Sequence, residues 1–296
     1  MENRLNLNFG QTSLAVIDGN AIIHRAFHAL PPLANKRKEP IGAVYGFLRV
    51  LFKIIREYQP THLAIAFDSP GSTFRHQVFP DYKANRVKAP DELYQQIPLV
   101  KQVLTAMGLS VLEAVGFEAD DLIGSLVRGV DQSANKLIVS GDTDLLQLVD
   151  NQTKVALLQQ GVGQYRVFGL AEVRDRYQGL TPEQLIELKG LKGDPSDNIP
   201  GVPGIGDKIG RDLIKRFRSL ENIYRHLDDL PLSLKDKLTD YREQAFMSRD
   251  LGRIRPDVPF DRKLEKYRIK GYNATEAAVL LDHLGLGNLA QELKTI

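Results

Sequence analysis

Three short apolar runs along the chain end in the same way. Ser13–Ile17 (SLAVI) is followed by Asp18, His62–Phe67 (HLAIAF) by Asp68, and Lys136–Gly141 (KLIVSG) by Asp142. Each is of strand length, aliphatic or β-branched, and nearly continuous rather than alternating. That pattern predicts strands buried on both faces of a parallel sheet. Between them the periodicity becomes helical: Gly42–Tyr58 sets Val44, Phe47, Leu48, Leu51, Ile54 and Ile55 on one stripe. Asp91–Met107 and Ala119–Val130 also predict helices, with Pro98 a candidate kink or break in the first. Strands alternating with helices predict an α/β layer fold, in which ligands sit beyond the carboxyl ends of the strands. The three aspartates would meet there.

After about Leu180 the strand signals fade. Thr181-Pro182-Glu183 predicts a helix start, and several amphipathic helices follow, the last marked by Ala277, Leu280, Leu281 and Leu284. The expected organisation is an α/β core over residues 1–180 and a helical region over 181–296. A stretch of little periodicity, Ser72–Pro90, interrupts the core as a long loop or a pair of short helices crossing above the sheet.

Composition narrows the class. The 296 residues are 43% hydrophobic and 26% charged, as in an ordinary globular protein. There is no cysteine, which excludes disulfides and thiolate metal sites and fits a reducing compartment. No apolar run approaches ~20 residues, and the N-terminus lacks the apolar core of a signal peptide. A cytoplasmic monomer with no membrane partner is the expectation. The net charge is only +2, yet Ser72–Pro90 carries Arg75, Lys83, Arg86 and Lys88 against the single acid Asp81. Gly204–Lys270 holds 17 Lys/Arg against 12 Asp/Glu. Local basic excess suits one face that meets a polyanion, although solvated charge also explains it.

The acids carry the chemistry. FEADDL adds Glu118, Asp120 and Asp121, GDTDL adds Asp144, and GDPSDN adds Asp194 and Asp197. Any one of them has a plain structural explanation, because acids favour helix N-termini and turns. Together they crowd like charges at one edge, which costs stability unless a cation neutralises them. With no cysteine or histidine cluster, an all-oxygen set suits Mg²⁺ or Mn²⁺. Nine carboxylates exceed the need of one Mg²⁺, whereas two ions roughly 4 Å apart would use them to hydrolyse a phosphodiester.

LAVIDGN, AFD, FRHQVFPDYKANR, FEADDL, SGDTDLLQL and GLKGDPSDNIPGVPGIGDKIG together resemble the 5′-nuclease (flap endonuclease) superfamily, nearest the 5′–3′ exonuclease domain of bacterial DNA polymerase I. The likeness runs from about Leu14 to Leu293. It implies a PIN-like core with a helical arch at about 72–96, and a helix-hairpin-helix motif at about 190–217. It implies that Asp18, Asp68, Glu118, Asp120, Asp121, Asp142, Asp144, Asp194 and Asp197 serve two Mg²⁺ or Mn²⁺ ions. Lys83 and Arg86 match arch residues that reach the scissile phosphate. Arg25 and Arg75 match other basic positions near nucleic acid, and Tyr82 is a candidate for stacking on a base. His24 stands where the family often has a stacking tyrosine, and an imidazole offers less area and can titrate.

In GVPGIGDKIG the resemblance implies that Gly201, Gly204, Ile205, Gly206 and Lys208 hold duplex backbone, with a monovalent cation such as K⁺ helping there. The implied activity is structure-specific 5′–3′ exonuclease and flap endonuclease action on DNA, in primer removal and repair. Substrates would be 5′ flaps, nicks, free 5′ ends and RNA-primed strands. A catalytically weak DNA-junction-binding module is the alternative, against which the full set of acids counts. A PIN-type ribonuclease would not explain the long C-terminal region. The glycines of GIGDKIG are spaced GxGxxxG, not GxGxxG, and no strand precedes them, which excludes a dinucleotide fingerprint.

Overall fold

The computed structural model describes residues 12–159, 161–271 and 273–296. Its centre is a six-stranded sheet of β1 (Ser13–Asp18), β2 (His62–Ala66), β3 (Ser110–Leu112), β4 (Asn135–Ser140), β5 (Thr153–Leu158) and β6 (Tyr165–Phe168). The strand order is β3-β2-β1-β4-β5-β6. The first five strands are mutually parallel and β6 runs antiparallel to β5. The apolar runs at β1, β2 and β4 are strands, and every residue of β1 and β2 is buried. Along β1, Ala15 and Ile17 face one core while Leu14 and Val16 face the other, as a sheet covered on both sides requires.

The helices are α1 (Gly19–Ala29), α2 (Gly42–Tyr58), α3 (Phe74–Val78), α4 (Asp91–Ala106), α5 (Ala119–Gly129) and α6 (Leu170–Arg176). After them come α7 (Gln184–Lys192), α8 (Asp207–Phe217), α9 (Leu220–Arg225), α10 (Leu232–Asp240), α11 (Arg242–Gly252), α12 (Ala274–His283) and α13 (Gly287–Leu293). Side chains of α2, α4, α12 and α13 pack in the core on one face of the sheet, and those of α5 in the core on the other. A third core, built on Leu188, Leu213, Ile214 and Leu220, belongs to the C-terminal helices. No strand follows Phe168 among the described residues.

Some expectations shift. Pro98 does not divide α4 into two elements; it is exposed on the solvent face, where water can satisfy the carbonyl it leaves free. The helix foreshadowed by Thr181-Pro182-Glu183 begins at Gln184, because Thr181 and Pro182 form a turn whose carbonyls accept from Gln184 and Leu185. The stretch before α4 contains one short helix, α3, followed by turns.

The strand order reverses between β1 and β4, both of which grow outward from the middle of the sheet. Their carboxyl ends open the crevice in which α/β sheets of this kind bind ligands.

Candidate metal and nucleic-acid site

Asp18 closes β1 and caps α1, accepting from the Ala21 N–H at 2.9 Å. Its second oxygen accepts from the Ser140 hydroxyl at 2.5 Å, and Ser140 Oγ in turn accepts from the Asp142 N–H at 2.9 Å. One serine at the end of β4 thus ties the Asp18 carboxylate to the backbone of Asp142. Asp68 follows β2, where its oxygens accept from the Ala119 N–H at 2.7 Å and from the Asn20 amide at 2.9 Å. Asp142 accepts from the Asp144 N–H and so fixes the following turn.

Burial raises the Asp18 carboxyl to about 7, with the charges of Asp68 and Asp142 adding to it. Burial, then Asp142 and Asp18, pushes Asp120 well above the usual carboxylate range. Among the described residues no lysine or arginine makes an ion pair with Asp18, Asp68, Asp120 or Asp142. This is a set of oxygen ligands short of positive charge, and it fits a hard divalent cation.

A second group lies beside it. Oxygens of Asp144, Asp194 and Asp197 fall within 4.8 Å of one another. They line a cleft of about 220 Å³ that also reaches Asp142. Glu118 and Asp197 are bridged by the Tyr82 hydroxyl at 3.2 Å from each. The Lys83 ammonium sits 2.9 Å from Glu118, and Arg86 pairs with Asp197. Lys83 has a positive φ of 58°, and its N–H bonds the Asp197 carbonyl at 2.9 Å. A lysine in that conformation is uncommon and needs its surroundings to hold it.

Other candidates are placed differently from their sequence reading. Asp121 is fully buried and turned from the cleft: Arg75 grips it with two bonds of 2.7 and 2.9 Å, and the N–H groups of Glu118 and Arg255 fill its remaining sites. Arg75 is itself buried and bonds the Leu251 and Arg253 carbonyls, so it joins α11 to α5 and offers nucleic acid no surface. Tyr82 is 3% exposed and packs with Ile199 and Leu251, which leaves its ring no open face for a base. Burial, with Glu118 and Asp197 adding, pushes its hydroxyl far up, so it remains a neutral donor.

His24 and Arg25 remain half-buried on α1. Burial and then His28 lower the His24 imidazole, which keeps it neutral near pH 7, and Arg25 bonds the Gln159 carbonyl at 2.6 Å.

Helices α7 and α8 flank the glycine-rich turn. Gly204 and Gly206 lie at its exposed surface, Gly206 caps α8, and Lys208 is exposed as the second residue of that helix. Ile205 is buried in the C-terminal core. Gly201 is also inward, with a φ of 63°, its N–H on Ser248 Oγ and its α-carbon against Gly193. Three contributors escaped the sequence reading. Ser140 and Asn20 lie inside the motifs KLIVSGD and LAVIDGN, so position beside an acid was their only signal. Lys189, which contacts both Asp144 and Asp194, looks in sequence like any lysine on an amphipathic helix.

The family model "5′-3′ exonuclease, N-terminal resolvase-like domain" matches residues 13–178, and "5′-3′ exonuclease, C-terminal SAM fold" matches 180–275. The chain belongs to the 5′–3′ exonuclease family. DNA polymerase I of Bacillus subtilis is 39% identical over 282 residues, 95% of this chain. The chain spans about a third of that relative's length, 32%. A structure of the T5 5′-exonuclease with bound divalent zinc ions superposes with a TM-score of 0.66 at 23% identity, covering 96% of this chain and 99% of that one. The catalytic core of Rad2 in complex with a DNA substrate superposes at 0.63 with 17% identity, covering 96% and 92%. At such identities the two structures confirm the fold. No described helix is long and apolar enough to cross a membrane.

Proposed function

We propose that this chain hydrolyses DNA phosphodiester bonds at free 5′ ends, nicks and 5′-flap junctions, as a divalent-metal-dependent exonuclease and flap endonuclease. One observation carries the reading. Carboxylates from three strand ends and from the Asp194–Asp197 turn converge on one crevice, and two cations from the 72–90 stretch close over it. Asp18, Asp68, Asp120 and Asp142 would hold one ion and Asp144, Asp194 and Asp197 a second, with Glu118 a further candidate ligand. Two bound Mg²⁺ or Mn²⁺ ions supply a nucleophilic water near neutral pH and positive charge for the phosphate oxygens.

The chain's own residues do the rest. Ser140 and Asn20 fix the carboxylates of Asp18 and Asp68, and Tyr82 holds those of Glu118 and Asp197. Lys83 and Arg86 would exchange Glu118 and Asp197 for the scissile phosphate and neutralise charge developing there. The N–H groups at the Gly204–Gly206 turn and Lys208 would hold duplex backbone away from the cut, with K⁺ a candidate helper. Nothing here presents a helix to read base edges, so recognition would follow junction shape and weaken with salt.

Cleavage of a 5′-labelled flap duplex tests the reading. Mg²⁺ should support release of the flap, EDTA should abolish it, and Asp142→Ala should lower the rate by about a thousandfold or more. Binding of the junction without cutting under every condition would leave only a DNA-binding module. RNA-primed strands in place of the DNA flap would show whether they too are cut.

A further inference from the structure

The two carboxylate groups differ in one respect that their composition does not reveal. Asp18, Asp68, Asp120 and Asp142 have no ion-pair partner among the described residues, whereas each acid of the second group is already ion-paired. Lys189 Nζ lies 2.8 Å from Asp194 Oδ2 and contacts Asp144 Oδ2, and Arg86 pairs with Asp197. The Lys189 ammonium therefore occupies the space between two of the three acids whose oxygens lie close enough to share an ion.

The lysine is also built into this place rather than lying across it. It is 8% exposed, on the last turn of α7. Its stem crosses α11 at Gly252, where a Cβ would stand 2.4 Å from Lys189 Cδ and 3.1 Å from Cγ. A Cβ at 252 would force the stem to shift from the path on which it reaches the acids. A small divalent cation binds carboxylate oxygens at ~2.1 Å, so it cannot share the space between those two oxygens with an ammonium. Like charges in so enclosed a site exclude each other further.

We propose that Lys189 is an internal counter-cation that a second divalent ion must displace from Asp144 and Asp194. It makes this subsite the weaker of two, filled by exchange, while the subsite at Asp18, Asp68, Asp120 and Asp142 fills first. Lys189 is thus a positioning residue, setting when the second ion enters rather than touching the substrate. The inference rests on the metal-binding reading given above.

Direct titration separates the two. The metal-free full chain is titrated with Mn²⁺ and free Mn²⁺ is followed by electron paramagnetic resonance, without any turnover. Wild type should show a tight and a weak class of site. Lys189→Met should tighten the weak class by about tenfold or more, because it removes a competing charge from contact distance. Lys189→Gln, a second neutral substitution, should do the same, and Lys189→Arg should leave the class weak. The tight class, unmoved in all of them, serves with circular dichroism as the control for folding. A weak class that is unchanged or loosened in both neutral variants overturns the inference while leaving the metal site standing. No Mn²⁺ binding by wild type overturns the metal reading, and this inference with it.

Discussion

Asp18 sits where a carboxylate resists ionisation, in a buried position beside two other acids. Its folded value of about 7 lies above the ~3.9 of an unfolded aspartate. The fold therefore keeps a proton that the unfolded chain releases, and stability falls as pH rises from about 4 to 7 and stays lower above it. Asp194 has the opposite sign. Burial would raise it, but Lys189 and Ser196 outweigh burial and hold it at about 2, so its contribution is full above pH 4 and lost as pH falls toward 2. Asp18→Asn keeps an acceptor for the Ala21 N–H and removes the charge. In EDTA at pH 8 it should stabilise the protein by on the order of 3 kcal/mol, a gain that shrinks toward pH 5. Nuclease activity should be lost at the same time. Thermal melts of both proteins across that pH range check this, and a variant that melts no higher than wild type at pH 8 would remove the electrostatic account.

At the scale of elements, the strands that end in acid were legible because continuous apolar runs need cover on both faces. The site inherits that legibility, since the sheet order brings Asp18 and Asp142 to neighbouring strands. Strands β3, β5 and β6 carry weaker signals: β3 has three residues and β6 is a short antiparallel edge, while β5 carries no acid at its end. The basic stretch misled in a more instructive way. Its surplus charge looked free for nucleic acid, but Arg75 is answered by Asp121, 46 residues away, and Arg86 by Asp197, 111 away. Charge balance is a property of the fold, so a local excess in sequence does not say which cations remain unpaired.

The turn between α7 and α8 shows the same dependence: Asp194 and Ile199 bridge each other, the Val202 N–H bonds Leu191, and Gly201 bonds Ser248. These bonds fix the reach from the Asp194–Asp197 acids to the Gly204–Gly206 surface. Inserting two residues after Pro200 should shift the cut site on a 5′-flap duplex or abolish cutting. Product lengths read on a gel decide this, and an unchanged pattern would separate gripping from cutting.

For the molecule as a whole, the acids divide between two cores. Asp18, Asp68 and Asp142 stand on the sheet, and Asp194 and Asp197 on the turn that leads into the C-terminal helices. Divalent ions that draw ligands from both sides should bolt those cores together, beyond the Arg75 link between α5 and α11. An ion that binds only the folded state stabilises it by RT ln(1 + [L]/Kd), about 2.7 kcal/mol at a hundredfold excess over Kd. For a chain of this size that corresponds to a rise in Tm of roughly 5 °C. Replacing both Asp194 and Asp197 by Asn should cut this rise without removing it, because the sheet-borne acids still bind. Amide exchange should show the difference in place: Mg²⁺ should protect α7 and α11 in wild type and leave them unprotected in the double variant. Equal protection in the two proteins would mean that bound ions touch the sheet alone, and that the C-terminal helices are held by protein contacts only.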